Sequence, residues 1–176
     1  MAAELPVFKY FPALPGYISE SESVCCCCSE KRGYIYDGGI YSRQDVGDGI
    51  CPWCIADGSA ACRFDGSFHC EENLRQAGLA QSVVEEIAFR TPGYPSWQES
   101  LWMVHCKDGC EFHGDASLED IRNASPATRQ EWQACFQMSE SEWQWATKDY
   151  QPGGDVCFYK FICRHCRLVV LGWEMS

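Results

Sequence analysis

The chain has 176 residues, 46% of them hydrophobic, and a formal net charge of −11. Seven Trp, eight Tyr and nine Phe supply enough apolar bulk for a sizeable core, which excludes a disordered chain. The acidic balance argues against direct nucleic-acid binding, because phosphate contact needs basic patches.

In chain order, Met1 to Tyr10 carries neither a basic n-region nor a long apolar run, so it does not read as a signal peptide. No stretch approaches the roughly 18 apolar residues of a membrane span. The expectation is a cytoplasmic protein whose thiols stay reduced. Residues 4–22 hold Pro6, Pro12, Pro15 and Gly16 around Phe8, Tyr10, Phe11 and Tyr17, which predicts an extended, strand-like arm with aromatic anchors. Ser19 to Ser23 reads as a polar link. Gly33 to Tyr36 suits a strand, Asp37-Gly38-Gly39 a turn, and Ile40-Tyr41 a returning strand. Pro52 to Ala61 reads as a turn followed by a short helical piece. Glu71 to Arg90 contains a helix, strongest at Val83, Val84, Ile87 and Ala88, and Thr91-Pro92-Gly93 ends it.

Further on, Glu99 to Cys106 reads as a strand, with Leu101, Met103 and His105 on one face and Trp102, Val104 and Cys106 on the other. Ser117 with Asp120 resembles a capping box. Pro126 suits a first helical turn, and Arg129, Trp132, Gln133 and Phe136 share one face of the helix that follows. Glu140 to Thr147 is a further helix, broken at Gly153-Gly154. Val156 to Cys163 and Leu168 to Trp173 read as a hairpin with Cys163 to Cys166 at its tip. The predicted class is α+β: small antiparallel strands with zinc-knuckle hairpins plus several helices, in two zinc-bound lobes. These are a single domain over 1–176, with an arm at 1–23 and lobes at 24–92 and 94–176.

Fourteen cysteines are far above ordinary usage, and eight of them fall in four pairs. Cys25 and Cys28, Cys51 and Cys54, and Cys163 and Cys166 have two intervening residues; Cys106 and Cys110 have three. In a reducing compartment such pairs point to metal rather than disulfides. A turn of this kind aims backbone amides at the sulfurs, and zinc takes four such ligands. The expected sites are Cys25, Cys28, Cys51 and Cys54, then Cys106, Cys110, Cys163 and Cys166, each closing a structural Zn2+ ion. His105, His113 and His165 are adjacent substitutes if a sulfur points away, although surface or core positions are the simpler reading. The Cys25-Cys26-Cys27-Cys28 run leaves open whether Cys25 or Cys27 is the ligand. Cys62, Cys70, Cys135 and Cys157 have no paired spacing and read as buried small hydrophobes.

Cys51-Pro52-Trp53-Cys54 also has the form of a redox centre, but such a centre needs one pair in a βαβ setting, not four. Catalytic motifs are absent: no G-x-S-x-G, no phosphate loop, no H-E-x-x-H. Asp37, Asp45, Asp48, Asp57 and Asp65 are scattered, as solvated turn residues are. A four-thiolate zinc has no open position for water, so the expectation is a non-enzymatic protein.

Several segments together resemble the CbrC family: Val24 through Cys28, Arg32 to Tyr36, and above all Cys51 to Ala61 (C-P-W-C-I-A-D-G-S-A-A). Phe64-Asp65-Gly66, Arg90 to Tyr94, Trp97-Gln98, His105-Cys106 and the Cys163/Cys166 pair fit it as well. The chain departs from that pattern in its four-Cys run and in Arg167, which stands where a knuckle usually has Gly. The family is named for a colicin-tolerance protein, so the resemblance implies a bacterial intracellular protein that protects against a nuclease toxin. The charge agrees with that implication. A nuclease toxin presents a basic surface, which an acidic, rigid protein can cover. Trp97, Trp132, Trp143 and Trp145 are candidate anchors for such a contact, or core residues. The expected function is a zinc-stabilised immunity protein with a basic protein partner, a nuclease toxin or effector. A stress-response zinc adaptor or metal buffer is the alternative, and a thiol oxidoreductase a third reading.

Overall fold

The computed structural model describes residues 4–98 and 100–176. A 3-10 turn, Leu14–Gly16, precedes strand β1 (Ile18–Ser21), which pairs antiparallel with β2 (Gly33–Tyr36). The arm is therefore not simply extended. Phe8, Tyr10, Phe11 and Leu14 are buried, and the expected polar link 19–23 contributes most of β1. Ile40-Tyr41 does not return along β2, because β1 already lies against it. Tyr36 bridges to Ile50 and Tyr41 only to Ser67.

Helices α1 (Pro52–Ala56) and α2 (Ser59–Phe64) follow, separated at Gly58 by a left-handed residue with φ 80°. Helix α3 (Glu71–Gln76) ends before Gly78, whose φ is 73°, and α4 (Gln81–Arg90) ends where Thr91-Pro92 was expected to stop it. Its buried Val84, Ile87 and Ala88 are the apolar face read from the sequence.

The expected strand from Glu99 to Cys106 shrinks to β3 (Val104–His105), and its first residue, Glu99, lies outside the described residues. Trp102 and Met103 are both buried, so the alternation fails. Its partner is β4 (Asp108–Gly109), joined by a two-residue turn. Strand β5 (Glu111–Asp115) then opens a three-stranded sheet of order β5-β6-β7, with β6 (Val156–Ile162) and β7 (Val169–Met175) forming the predicted hairpin. Between them run α5 (Leu118–Arg122), α6 (Pro126–Phe136) and α7 (Glu140–Lys148). Ser117 and Asp120 make the predicted capping box, Pro126 sits in the first turn of α6, and Ser139 with Glu142 makes a second box. Small antiparallel sheets and seven α-helices among the described residues thus form a mixed helix and strand architecture.

The three-stranded sheet is covered on both faces. Tyr159, Phe161 and Val170 enter the main core with Tyr10, Phe11, Tyr94, Trp102 and Phe112, where Tyr94 stacks on Phe112 at 4.6 Å. Phe158 and Leu171 point the other way, into a second core with Trp132, Trp143 and Tyr150. Two-sided burial explains why β6 and β7 read as nearly continuous apolar runs rather than as alternation. The main core draws residues from the arm, from α1–α4 and from β5–β7, and it packs directly against Cys25, Cys51, Cys54 and Cys163.

Candidate metal centres

The first centre forms where two turns meet. Cys25 donates its N–H to Glu30 O (2.9 Å), Ser29 donates its N–H to Cys25 O (2.8 Å), and Ser29 takes φ 61°. This tight loop places Cys25 and Cys28 side by side. Opposite, Cys51 is the N-cap residue of α1, and Pro52 at the first helical position fixes the turn that brings Cys54 back to it. The four sulfurs lie within 4.8 Å of one another. Separations are 3.9 Å for Cys25–Cys54, 3.9 Å for Cys28–Cys51 and 3.5 Å for Cys51–Cys54. A tetrahedron with metal–sulfur bonds of 2.3 Å has edges of about 3.8 Å. The donor set therefore fits one zinc ion.

The second centre is built from two hairpin tips. Cys163 repeats the loop of Cys25: its N–H donates to Leu168 O (2.8 Å), Arg167 N–H donates to Cys163 O (3.1 Å), and Arg167 takes φ 64°. The other tip joins β3 to β4 through Cys106 (φ 51°) and Lys107 (φ 59°), a turn with both central residues left-handed. That turn projects His105 and Cys106 together. His105 Nδ1 lies 3.2 Å from Cys106 Sγ and 3.4 Å from Cys166 Sγ, close to the roughly 3.6 Å edge of a mixed nitrogen–sulfur zinc site.

The group is thus His105, Cys106, Cys163 and Cys166, all within 4.8 Å. Cys110 is not in it. It stands opposite Met103, its N–H donating to Met103 O at 2.9 Å, and its side chain is buried in the main core. The two-residue turn puts His105 and Cys106 at the tip and leaves Cys110 past β4, within the main core. Of the other substitutes, His113 approaches Glu111 at 3.5 Å, and His165 Nε2 lies 3.0 Å from Asp108 Oδ2. Asp108 joins the two tips. It also accepts from Tyr10 (2.6 Å) and pairs with Arg164 (3.4 Å). Against the opposing effect of burial, the Tyr10 and His165 hydrogen bonds, the Lys9 charge and the Gly109 N–H hold its carboxyl below the usual range.

The thiols within each group differ in how readily they ionise. Burial opposes ionisation at Cys25, yet the N–H groups of Cys51, Cys28 and Cys27 outweigh it and bring the thiol down to about 7. At Cys163 burial is likewise outweighed by the N–H groups of Cys166 and His165, and the thiol comes down to about 6. Their neighbours go the other way. Burial pushes Cys51 up to about 11 and raises Cys54 further. Desolvation and the adjacent Cys166 and Cys163 push Cys106 up to about 11. Ionisation is thus favoured at Cys25 and Cys163 and opposed at Cys51, Cys54 and Cys106; a dication bound at either centre would favour the thiolate at all five.

A model of an uncharacterised protein family, UPF0167, matches residues 5–174. The chain belongs to the UPF0167 family. It is 43% identical over 169 residues to the UPF0167 protein PA1536 of Pseudomonas aeruginosa, covering 94% of each chain. It is 37% identical over 134 residues to the UPF0167 proteins Mb2317 of Mycobacterium bovis and MT2352 of Mycobacterium tuberculosis, covering 73% of this chain and 72% of each relative. No solved structure matches it. Both centres of this UPF0167 chain lie inside the matched span.

The remaining cysteines divide. Cys27 Sγ approaches Ser59 Oγ at 3.7 Å, so Cys25 rather than Cys27 belongs to the first group, with Cys28. Cys157 is buried as expected, but Cys62 and Cys135 are exposed and Cys70 half-buried. Trp132 and Trp143 are core residues, whereas Trp97 and Trp145 are exposed. His105, one of the three adjacent substitutes but not the preferred reading, is the fourth donor of the second group, and its sequence signal is its adjacency to Cys106. The turn that unites them has no Asn or Gly to announce it.

Proposed function

We propose that this protein is a zinc-stabilised, non-enzymatic binding protein that neutralises a basic toxin, a nuclease effector, by covering its nucleic-acid-binding surface or active site. The carrying observation is the pair of compact four-donor groups, each closed by protein ligands and seated against the aromatic core. Four protein donors complete a tetrahedral zinc, which leaves no position for a water or substrate and makes the ion a fastener. Cys25, Cys28, Cys51 and Cys54 would hold one ion; His105, Cys106, Cys163 and Cys166 would hold the other.

Metal fastening suits a binding role. It fixes turn-rich surface segments before the partner arrives, so less entropy is lost on docking. The net charge of −11 supplies attraction toward a basic surface. Exposed Trp97 and Trp145 offer aromatic anchors. The resemblance to the CbrC family supplies the class of partner, and reduced thiols suit a cytoplasmic setting. None of the described helices is long and apolar enough to cross a membrane.

Co-expression tests the reading. Cells producing a nuclease toxin domain encoded beside a gene of this family should survive when this protein or the cognate relative is supplied, and the two proteins should co-purify. Absence of protection together with a stable complex to a non-basic, non-toxic partner would sink it.

A further inference from the structure

We infer that the His105–Cys106–Cys163–Cys166 centre is an oxidative modification site, at which a peroxide joins Cys106 to Cys166 and expels the metal, while the first centre is spared. The inference rests on the metal reading above but not on any partner. Its warrant is an asymmetry between the two centres. At the first, Cys25 and Cys51 are fully buried, Cys54 is 3% exposed and Cys28 is half-buried. At the second, only Cys163 is buried; Cys106 and Cys166 are exposed and His105 is partly so. Oxidation of cysteine follows thiolate character and access together. A metal-bound sulfur is a thiolate in either centre, so access decides.

Two further features point the same way. Lys107 and Arg167 each follow one of the exposed cysteines in sequence, and Arg164 and His165 lie between Cys163 and Cys166. In a chain of net charge −11, Lys107, Arg164 and Arg167 make a local concentration of cationic side chains, partly offset by Asp108 and Glu111. Reactive cysteines occupy partly exposed, electropositive surroundings of this kind. The backbone is also held under strain: Cys106, Lys107 and Arg167 all have positive φ without being glycine, whereas the first centre has only Ser29. Such conformations persist when the surroundings over-determine them.

The reaction balances with hydrogen peroxide as oxidant. The Cys106 thiolate attacks one peroxide oxygen, the O–O bond breaks, and a sulfenic acid forms as hydroxide leaves. The Cys166 thiolate, on the facing hairpin tip, attacks that sulfur; the S–S bond forms and the second hydroxide leaves. Two electrons pass from the two sulfurs to the peroxide, two protons from solvent convert the hydroxides to water, and Zn2+ is released.

The test uses the full-length, zinc-loaded protein carrying Cys62→Ser and Cys135→Ser, which removes two exposed thiols that belong to neither centre. Zinc content before oxidation, about two ions per chain, checks the metal reading by itself, and a second centre empty at that stage overturns both. Peroxide is then titrated while a chromogenic chelator reports free zinc, and the cross-link is mapped by mass spectrometry. The expected result is release of about half the zinc with a Cys106–Cys166 disulfide, reversed by dithiothreitol and added zinc. Simultaneous release of all the zinc, earlier loss from the first centre, a Cys163–Cys166 bridge, or no release at sub-millimolar peroxide overturns the inference while leaving the metal reading intact.

Discussion

Arg167 and Ser29 occupy equivalent places in the two knuckle loops, each donating its N–H back to the first cysteine while in the left-handed region. A β-carbon costs energy there, and glycine does not incur it. Arg167 returns only an exposed ion pair with Glu111 at 3.2 Å, which contributes little. Arg167→Gly should therefore raise stability by about 0.5–1 kcal/mol, read as an upward shift in denaturant midpoint at saturating zinc. A fall of the same size would mean that the ion pair outweighs the backbone strain. Ligand identity is a residue-scale question too. His105→Ala should lower bound zinc from about two ions to about one, whereas Cys110→Ala should keep about two and lose stability through its small cavity. Metal analysis of the two variants settles which residue is the fourth donor, and zinc loss in the Cys110 variant would reverse the present assignment.

At the scale of elements, what the sequence made legible was whatever is encoded locally. The capping box at Ser117, the proline at the start of α6, the apolar face of α4 and the β6–β7 hairpin all follow from short-range pattern. Seven of the eight expected donors fall within the two four-donor groups, since knuckle spacing is local. Legibility ended where distant segments decide the outcome. The β1–β2 pairing depends on an arm whose polar Ser19, Glu20 and Ser21 gave no strand signal, while the β3–β4 tip, although local, turns on left-handed Cys106 and Lys107, residue types that do not announce such a turn. The 96–98 segment shows the same dependence. It is held not by its own sequence but by Glu174 on β7, which accepts from Ser96 Oγ (2.7 Å), Trp97 N–H (3.0 Å), Gln98 N–H (3.3 Å) and the Tyr159 hydroxyl. Burial opposes the charge on Glu174, yet these four donors outweigh it and hold the carboxyl below its usual range. A depressed carboxyl contributes stability that is complete above the unfolded value near 4.5 and is lost as pH falls through the folded one. Glu174→Gln should cost about 1–3 kcal/mol at neutral pH and flatten the acid limb of the stability profile below pH 4.5. Equal pH dependence in the two proteins would show that Glu174 is not the group responsible.

For the whole molecule, the decisive quantity is the separation of the two roles assigned to fasteners and surface. If the ions only hold the surface still, a chelator strong enough to strip both centres should abolish folding and partner binding together, and zinc should restore both. Charge then governs how fast the partner is found. An acidic protein steers a basic one from beyond contact distance, and salt shortens the reach of that field from roughly 30 Å at 0.01 M to about 8 Å at 0.15 M. The association rate with a basic toxin should therefore fall by about tenfold or more across that range, while the dissociation rate, set by short-range packing, changes far less. Stopped-flow mixing at several salt concentrations separates the two rates. A rate independent of salt would remove the acidic surface from the recognition step, and would leave the exposed Trp97 and Trp145 as the proposed features that select the partner.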